Sequence, residues 1–348
     1  MGSLILCYHS INYGQRIDPD TFEENLKALK ESGFRPIKLS EIHDYLSQNK
    51  PLPEKTVHIT FDDGYADNYI YAYPILKKYG FFATIFVVAN KVSEGIKRAT
   101  YDELVGMNIA NQVNKLIEKS HFVSWDELID MQQSGVFEVG SHSLNHKACF
   151  CCPKIHTFNS DNSYEWFLEL TNDRRLGVPI YQKKWECTTL CMKDDLALRD
   201  YLADFVKNSG GVLFFRRRDA KSILRKMAKS YIKKHGLDIN YDTQKDKEER
   251  IKRELQLSKQ KLEENLGKKV DFFCYPWGHY DADVIYELQN SGYKAGLTLN
   301  VGLVEKNTYP YLLPRVEVRA DPRWFKKRLK IYSRPAFAKI YSKVYHWI

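Results

Sequence analysis

Two adjacent carboxylates end a β-branched run in Ile59-Thr60-Phe61-Asp62-Asp63-Gly64-Tyr65. A strand that ends this way delivers polar side chains to the carboxyl edge of a sheet, where α/β proteins keep their chemistry. One carboxylate can bind a metal ion while its neighbour, close but free, accepts a proton from activated water. Further along, Val139-Gly140-Ser141-His142-Ser143-Leu144-Asn145-His146 follows a short apolar run, Val136 to Val139. Its histidines at i and i+4 would share one face of a helical turn. Asp63, His142 and His146 together make a carboxylate–imidazole set suited to zinc with room for water. Taken singly, Asp-Asp-Gly also reads as a turn, and His-x-x-x-His as two ordinary histidines.

These motifs need elements to present them. Leu4 to Tyr8 reads as a strand, and Asp20-Thr21-Phe22-Glu23 opens a helix to about Glu31, closed by Gly33. Arg35 to Leu39 is extended, and Ser40 caps a short helix to Gln48. Thr56 to Phe61 carries the aspartates, a helix follows to Tyr79, and Phe82 to Val88 is a strand. Asn90 to His121 is less regular and reads as cover for a groove. Ser124-Trp125-Asp126-Glu127 forms a capping box for a helix through Ser134. Ile251, Leu255, Leu262 and Leu266 make an apolar stripe along a helix from Gln244 to Leu266. Strands over Lys269 to Tyr275, Tyr293 to Leu299 and Pro314 to Val318 follow, with a helix from Asp281 to Ser291 between.

Strand alternating with helix predicts a parallel sheet. Roughly seven strands, with reactive groups at several strand ends, favour a distorted, partly open (β/α)7 barrel over a doubly wound sheet. The expected organisation is a barrel over 1–318 interrupted by an insertion at about 147–242, then a basic segment, 319–348. Within the insertion, Gly210 to Phe215 abuts Arg216-Arg217-Arg218 and reads as a buried strand with a charged end, ahead of the other reading, contact with lipid or an anionic substrate.

The 348 residues are 43% hydrophobic, ordinary for a globular protein, and no apolar run is long enough to span a membrane. Met1 to Ser10 lacks a basic start and a cleavage site, so the expected location is the cytoplasm, with peripheral contact at the inner membrane face. Seven cysteines, an odd number in a long chain, argue against a disulfide framework. Cys149, Cys151, Cys152, Cys187 and Cys191 crowd the insertion, as buried thiols or as ligands of a structural zinc. The formal charge is +9, and Arg319 to Ile348 sets nine Lys and Arg against Asp321, a net of +8. Phe337, Ile340, Tyr341, Val344, Tyr345 and Ile348 recur there at helical spacing. That reads either as a basic amphipathic helix on an anionic membrane or as a terminal helix docked on the domain. No nucleic-acid reader motif accompanies the basic residues.

Thr60 to Tyr65 and His142 to His146 resemble the first two motifs of the polysaccharide deacetylases, the NodB-like carbohydrate esterase family 4. Phe273-Cys274-Tyr275-Pro276-Trp277-Gly278-His279-Tyr280 resembles a third, and Leu4 to Ser10 is similar to the Tyr-His opening of a circularly shifted subgroup. The resemblance implies Asp62 as general base, His9 as general acid, and Asp63, His142 and His146 as ligands of a divalent ion, zinc first. It also implies an oxyanion donor in the Trp277 backbone N–H, with Tyr275 and Tyr65 at the substrate. Cys274 stands where many members have arginine, and Arg315 is the candidate to orient the base in its place. The implied activity is hydrolysis of an N-acetyl group from an amino sugar, as polysaccharide, oligosaccharide or lipid-linked glycan. A carbohydrate-binding protein without turnover and an amidohydrolase for non-sugar amides are the alternatives.

Overall fold

Strand β1 (Leu4–Tyr8) is buried along its whole length and pairs in parallel with β3 (Thr56–Phe61), from Leu4 opposite Val57 to Tyr8 opposite Phe61. β2 (Arg35–Pro36) adds to the other side of β3 at Thr56 and Val57. β4 (Ala83–Val87) follows β3 in the sheet, then β5 (Phe137–Ser141), β6 (Phe272–Cys274) and β7 (Ala295–Leu297). β8 (Val316–Glu317) pairs with the free side of β1 at Leu6 and Cys7. The order β7-β6-β5-β4-β3-β1-β8 is parallel throughout, and a single bridge from Leu297 to Leu313 brings the chain leading into β8 against β7. This is a curled, partly open barrel of seven strands with helices, an α/β fold. The computed structural model describes residues 2–95, 97–160, 170, 173–334 and 337–338.

The chain divides into two units, Met1–His146 with Lys252–Ile348, and Lys147–Ile251. The first is the barrel. Its helices follow the apolar patterning: Pro19–Glu31 buries Phe22, Leu26 and Leu29, and its N-cap Asp18 accepts from the Thr21 N–H at 2.7 Å. The helix Leu39–Gln48 starts differently from expectation. Ser40 is not its cap; the amino end of β5 supplies Glu138, whose carboxylate accepts from the N–H groups of Leu39 (2.8 Å) and Ser40 (3.3 Å). Ser124 and Glu127 form the expected capping box ahead of Trp125–Gln133. Glu127 also takes the Arg98 guanidinium (2.7 and 2.6 Å), which donates onward to the carbonyls of Ser120 and Phe122. That pins the stretch before Phe122, which departs from the expected irregularity by carrying the short helices Tyr101–Gly106 and Val113–Lys119.

Part of the expected basic terminal segment belongs to this unit as ordinary structure. The helix Pro322–Tyr332 buries Phe325, Leu329 and Tyr332 and packs against Pro19–Glu31. Phe337 is exposed, while Ile340, Tyr341, Val344, Tyr345 and Ile348 lie outside the described residues.

The second unit extends the expected insertion to Ile251. A bulged antiparallel hairpin, Ala148–Phe158 with Pro179–Trp185, is joined by the helices Leu196–Asn208 and Ala220–His235. Phe158, Leu198, Leu202, Val206, Phe214 and Leu224 form its core. Two expectations are corrected here. Gly211–Arg216 is a 3-10 turn and not a strand, because Gly210 and Gly211 take positive φ (101° and 60°) that a strand cannot continue. Cys149 and Cys191 form a disulfide, so the odd cysteine count misled, and a zinc site built on those two is removed. Among the described residues no helix is long and apolar enough to cross a membrane.

Candidate active site

The carboxyl ends of β3, β5 and β6 bring the three motifs together. β3 stops at Phe61, and the chain turns through Asp63 (φ 71°) and Gly64 (φ 79°). A Cβ on Gly64 would lie 2.9 Å from the Val87 side chain, so residue 64 must be glycine for the turn to close on β4. His142 and His146 do not share a helical turn as expected. They are carried by a loop in which Ser143 (φ 68°) and His146 (φ 54°) are left-handed. Glu254, fully buried, holds that loop by accepting from the N–H groups of Leu144 (3.1 Å) and Asn145 (2.9 Å) and from the Asn145 amide (2.6 Å). Left-handed non-glycine residues are costly and persist where their surroundings over-determine them. Asp63, Ser143, His146 and Trp277 are four such residues, and all lie in the motifs.

Asp63 Oδ1 stands 3.6 Å from His142 Nε2 and 3.7 Å from His146 Nε2. Ligands about 2.0–2.2 Å from a tetrahedral zinc stand roughly 3.3–3.6 Å apart, so these three atoms fit one common ion. His142 Nδ1 donates to the Cys274 carbonyl at 2.8 Å. A carbonyl only accepts, so the proton is on Nδ1 and the Nε2 lone pair faces Asp63. Burial lowers both imidazole pKa values, His146 to about 3 with help from His142, which keeps the rings neutral and able to ligate.

Two further groups cluster within 4.8 Å: Cys7, His9 and Asp62, and Asp62, His142 and Cys274. Neither suits a cation. Asp62 is clamped by Arg315, Nη1 to Oδ1 at 2.7 Å and Nη2 to Oδ2 at 2.8 Å, so a positive charge already occupies it. Burial alone would raise the Asp62 pKa, but the guanidinium outweighs burial and holds it well below the usual carboxylate range. Burial pushes the Cys7 and Cys274 thiols up, so both remain S–H donors, to Asp62 Oδ2 at 3.5 and 3.4 Å. Arg315 is itself fixed by the Thr298 carbonyl (2.9 Å) and Thr60 Oγ1 (3.0 Å). The guanidinium expected at position 274 thus arrives from the segment that closes the barrel, and its Nη2 donates to Cys274 Sγ at 2.9 Å.

His9 follows β1, with a ring nitrogen within 4.8 Å of Asp62. Its loop is anchored by Asp67, which accepts from Ser10 and from the Ile11 N–H (3.0 Å), and by Asn68, which donates to the His9 carbonyl (2.8 Å). Burial pushes Asp67 up to about 6. A cavity of about 440 Å³ opens beside His9, lined also by Tyr65, Asp67, His121 and Glu317. Tyr65 stacks on Phe122 at 5.6 Å; burial and then the Asp63 carboxylate push its hydroxyl pKa up. Trp277, about one-third exposed, covers His146 with ring centroids 4.2 Å apart. Tyr275 departs from its expected place at the substrate. It is fully buried, and its hydroxyl donates to the Tyr311 carbonyl at 2.8 Å, so it supports the third motif from below.

Glu254, Asp67 and Asn68 escaped sequence reasoning. Glu254 left a signal, for it falls three residues from Ile251 on the apolar stripe, where a carboxylate needs a buried partner.

A family model described as polysaccharide deacetylase matches residues 49–174 and 202–296, more than half of the chain. The Bacillus subtilis (strain 168) protein YxkH is 35% identical over 144 residues, 41% of this chain and 42% of the relative. The poly-beta-1,6-N-acetyl-D-glucosamine N-deacetylase of Escherichia coli (strain K12) is 30% identical over 122 residues, 35% of this chain and 17% of the relative. The chain therefore spans less than half the length of these relatives. Among solved structures, a de-N-acetylase from Aggregatibacter actinomycetemcomitans superposes with a TM-score of 0.61 at 19% identity, over 94% of this chain and all of that one. IcaB from Ammonifex degensii gives 0.57 at 20% identity, over 96% and 97%. At these identities the two structures speak to the fold. The family-model match leaves out His9 and Arg315, whose placement rests on geometry.

Proposed function

Since this chain belongs to the polysaccharide deacetylase family, we propose that it is a metal-dependent hydrolase that removes N-acetyl groups from an amino-sugar substrate. One observation carries the reading: Asp63, His142 and His146 converge on a common point while Asp62 stands beside them, ionised and clamped. A divalent ion in that set, zinc first, would lower the pKa of water to about 7 and polarise an amide carbonyl.

The chain's own residues supply the rest. Asp62 takes the proton from the attacking water; Arg315 keeps the carboxylate charged at every working pH and fixes its plane. His9, anchored through Asp67 and Asn68, donates a proton to the leaving nitrogen. The Trp277 N–H meets the developing oxyanion, and its indole shields the site. The cavity beside His9 falls within the range of small-molecule sites, about 300–1,000 Å³, and Tyr65 offers a face to a sugar ring. The similarity to poly-beta-1,6-N-acetyl-D-glucosamine N-deacetylases makes β-1,6-linked N-acetylglucosamine the first polymer to test. Peripheral contact with a membrane remains part of the proposal for delivery of a lipid-linked glycan. The Cys149–Cys191 bond weighs against the cytoplasm, because disulfides persist in oxidising compartments.

Asp62→Asn should lower acetate release from such oligomers by about 10²–10⁴-fold while metal content by elemental analysis is unchanged. Undiminished release would remove Asp62 as base. A protein that binds the oligomer but never releases acetate would be a binder on this fold. Release from acetylated peptides alone would make it an amidohydrolase of another class.

A further inference from the structure

The second unit carries a surface that the catalytic reading leaves unused. Between Lys207 and His235 the chain holds ten Lys and Arg against one acid, Asp219, a net of +9 that equals the formal charge of the whole chain. The helix Ala220–His235 turns Leu224 and Ala228 inward, and Lys221, Arg225, Lys229 and Lys233 recur every fourth residue on its exposed side. Just before it, the turn Gly211–Arg216 buries Phe214 but leaves Val212 45% and Leu213 59% exposed, with Arg216, Arg217 and Arg218 exposed directly after. Asp219 engages Arg217 at 3.1 Å, so the acid neutralises little beyond its neighbour.

The two features point to one occupant. A soluble polyanion would satisfy the cations but leave Val212 and Leu213 in water. An anionic bilayer satisfies both, since its headgroups meet the Lys and Arg heads while the acyl boundary takes the apolar tip. We infer that the turn Gly211–Arg216 and the basic helix after it form a docking surface for an anionic lipid bilayer, with Val212 and Leu213 as the inserted tip. This surface is independent of the chemistry at Asp62 and Asp63.

The test is sedimentation of the full chain with phosphatidylcholine vesicles, with and without phosphatidylglycerol, at low and high salt. Binding should require phosphatidylglycerol and weaken at least about tenfold as salt rises. Arg216→Gln with Arg218→Gln should weaken it about tenfold or more. Val212→Ser with Leu213→Ser should also weaken it about tenfold while leaving the salt dependence intact. Circular dichroism melts check that these surface variants fold. Binding unchanged in both variants would overturn the inference and move any membrane contact elsewhere, for instance to 319–348. Equal binding to heparin, insensitive to Val212→Ser with Leu213→Ser, would make the surface a polyanion site and overturn it too. Acetate release from a soluble oligomer should be the same in all variants, so a loss of turnover would bear on the catalytic reading and not on this one.

Discussion

The barrel buries charged groups around its candidate site, whereas the inserted unit keeps most of its charge at the surface. In the barrel, Asp62, Arg315, Glu254, Glu127, Asp67 and His58 are buried, and each is met by specific partners. In the inserted unit most charges face water, although Asp195, Arg199 and Arg250 are buried against partners; the apolar interior is Phe158, Leu198, Leu202, Val206 and Leu224, and a disulfide ties the hairpin's first strand to the segment after its second. Apolar packing needs only approximate shape to hold a fold. Buried polar groups tolerate little displacement, because each unmet partner is costly. The barrel accepts that cost where side chains must be aimed.

The contrast breaks first, if it breaks, at Arg315. Replacing it with leucine leaves Asp62 buried and unpaired, so urea unfolding of the barrel should show a loss of about 3–5 kcal/mol. Adding Asp62→Leu should restore much of that stability without restoring acetate release. A loss below about 1 kcal/mol would mean the pair is solvated and the contrast is false. The matching change in the second unit is removal of the disulfide by Cys149→Ala with Cys191→Ala. With a sequence separation of 42 between the cysteines, chain entropy predicts about 4 kcal/mol. Limited proteolysis should find the loss confined to 147–251, with metal content unaltered.

Acid sharpens the comparison further. His58 is buried between the Ile37 carbonyl (2.8 Å) and Thr84 Oγ1 (2.9 Å), and burial lowers its pKa to about 4. An unfolded imidazole binds a proton below about pH 6.5. Between there and pH 4 the unfolded state binds more protons than the folded one, so stability falls as pH falls, by up to about 3 kcal/mol from this group. Asp62 adds its loss only below the ordinary carboxylate range, near pH 4. Denaturant melts at pH 7.5, 5.5 and 4.5 should show the barrel weakening first; equal weakening of both units would contradict the assignment. The smallest expected effect is Glu254→Gln. It keeps the volume but weakens the bonds to Leu144 and Asn145, at about 1–2 kcal/mol. Metal titration should show weaker uptake, since the histidine loop loses its brace.

Much of this was legible in the residues. The strand ends and their polar side chains follow from the β-branched run that gives way at Asp62 and the short apolar run around Val139, which β5 extends to Ser141. The stripe at Ile251, Leu255, Leu262 and Leu266 does turn inward. What escaped depends on tertiary partners. The i, i+4 spacing of His142 and His146 mimics a helix, but Ser143 and His146 adopt positive φ, which no side chain there announces. Likewise, which cysteines pair is a matter of distance in the fold, and counting them says nothing about it.

Arg315 lies on the segment that closes the barrel, just before β8, the last barrel strand in chain order, while β1 beside it is the first. A nascent polypeptide emerging from the ribosome therefore carries Asp62 long before the guanidinium that neutralises it. Until that late arrival the carboxylate has no guanidinium to offset its burial, so desolvating it early would be costly.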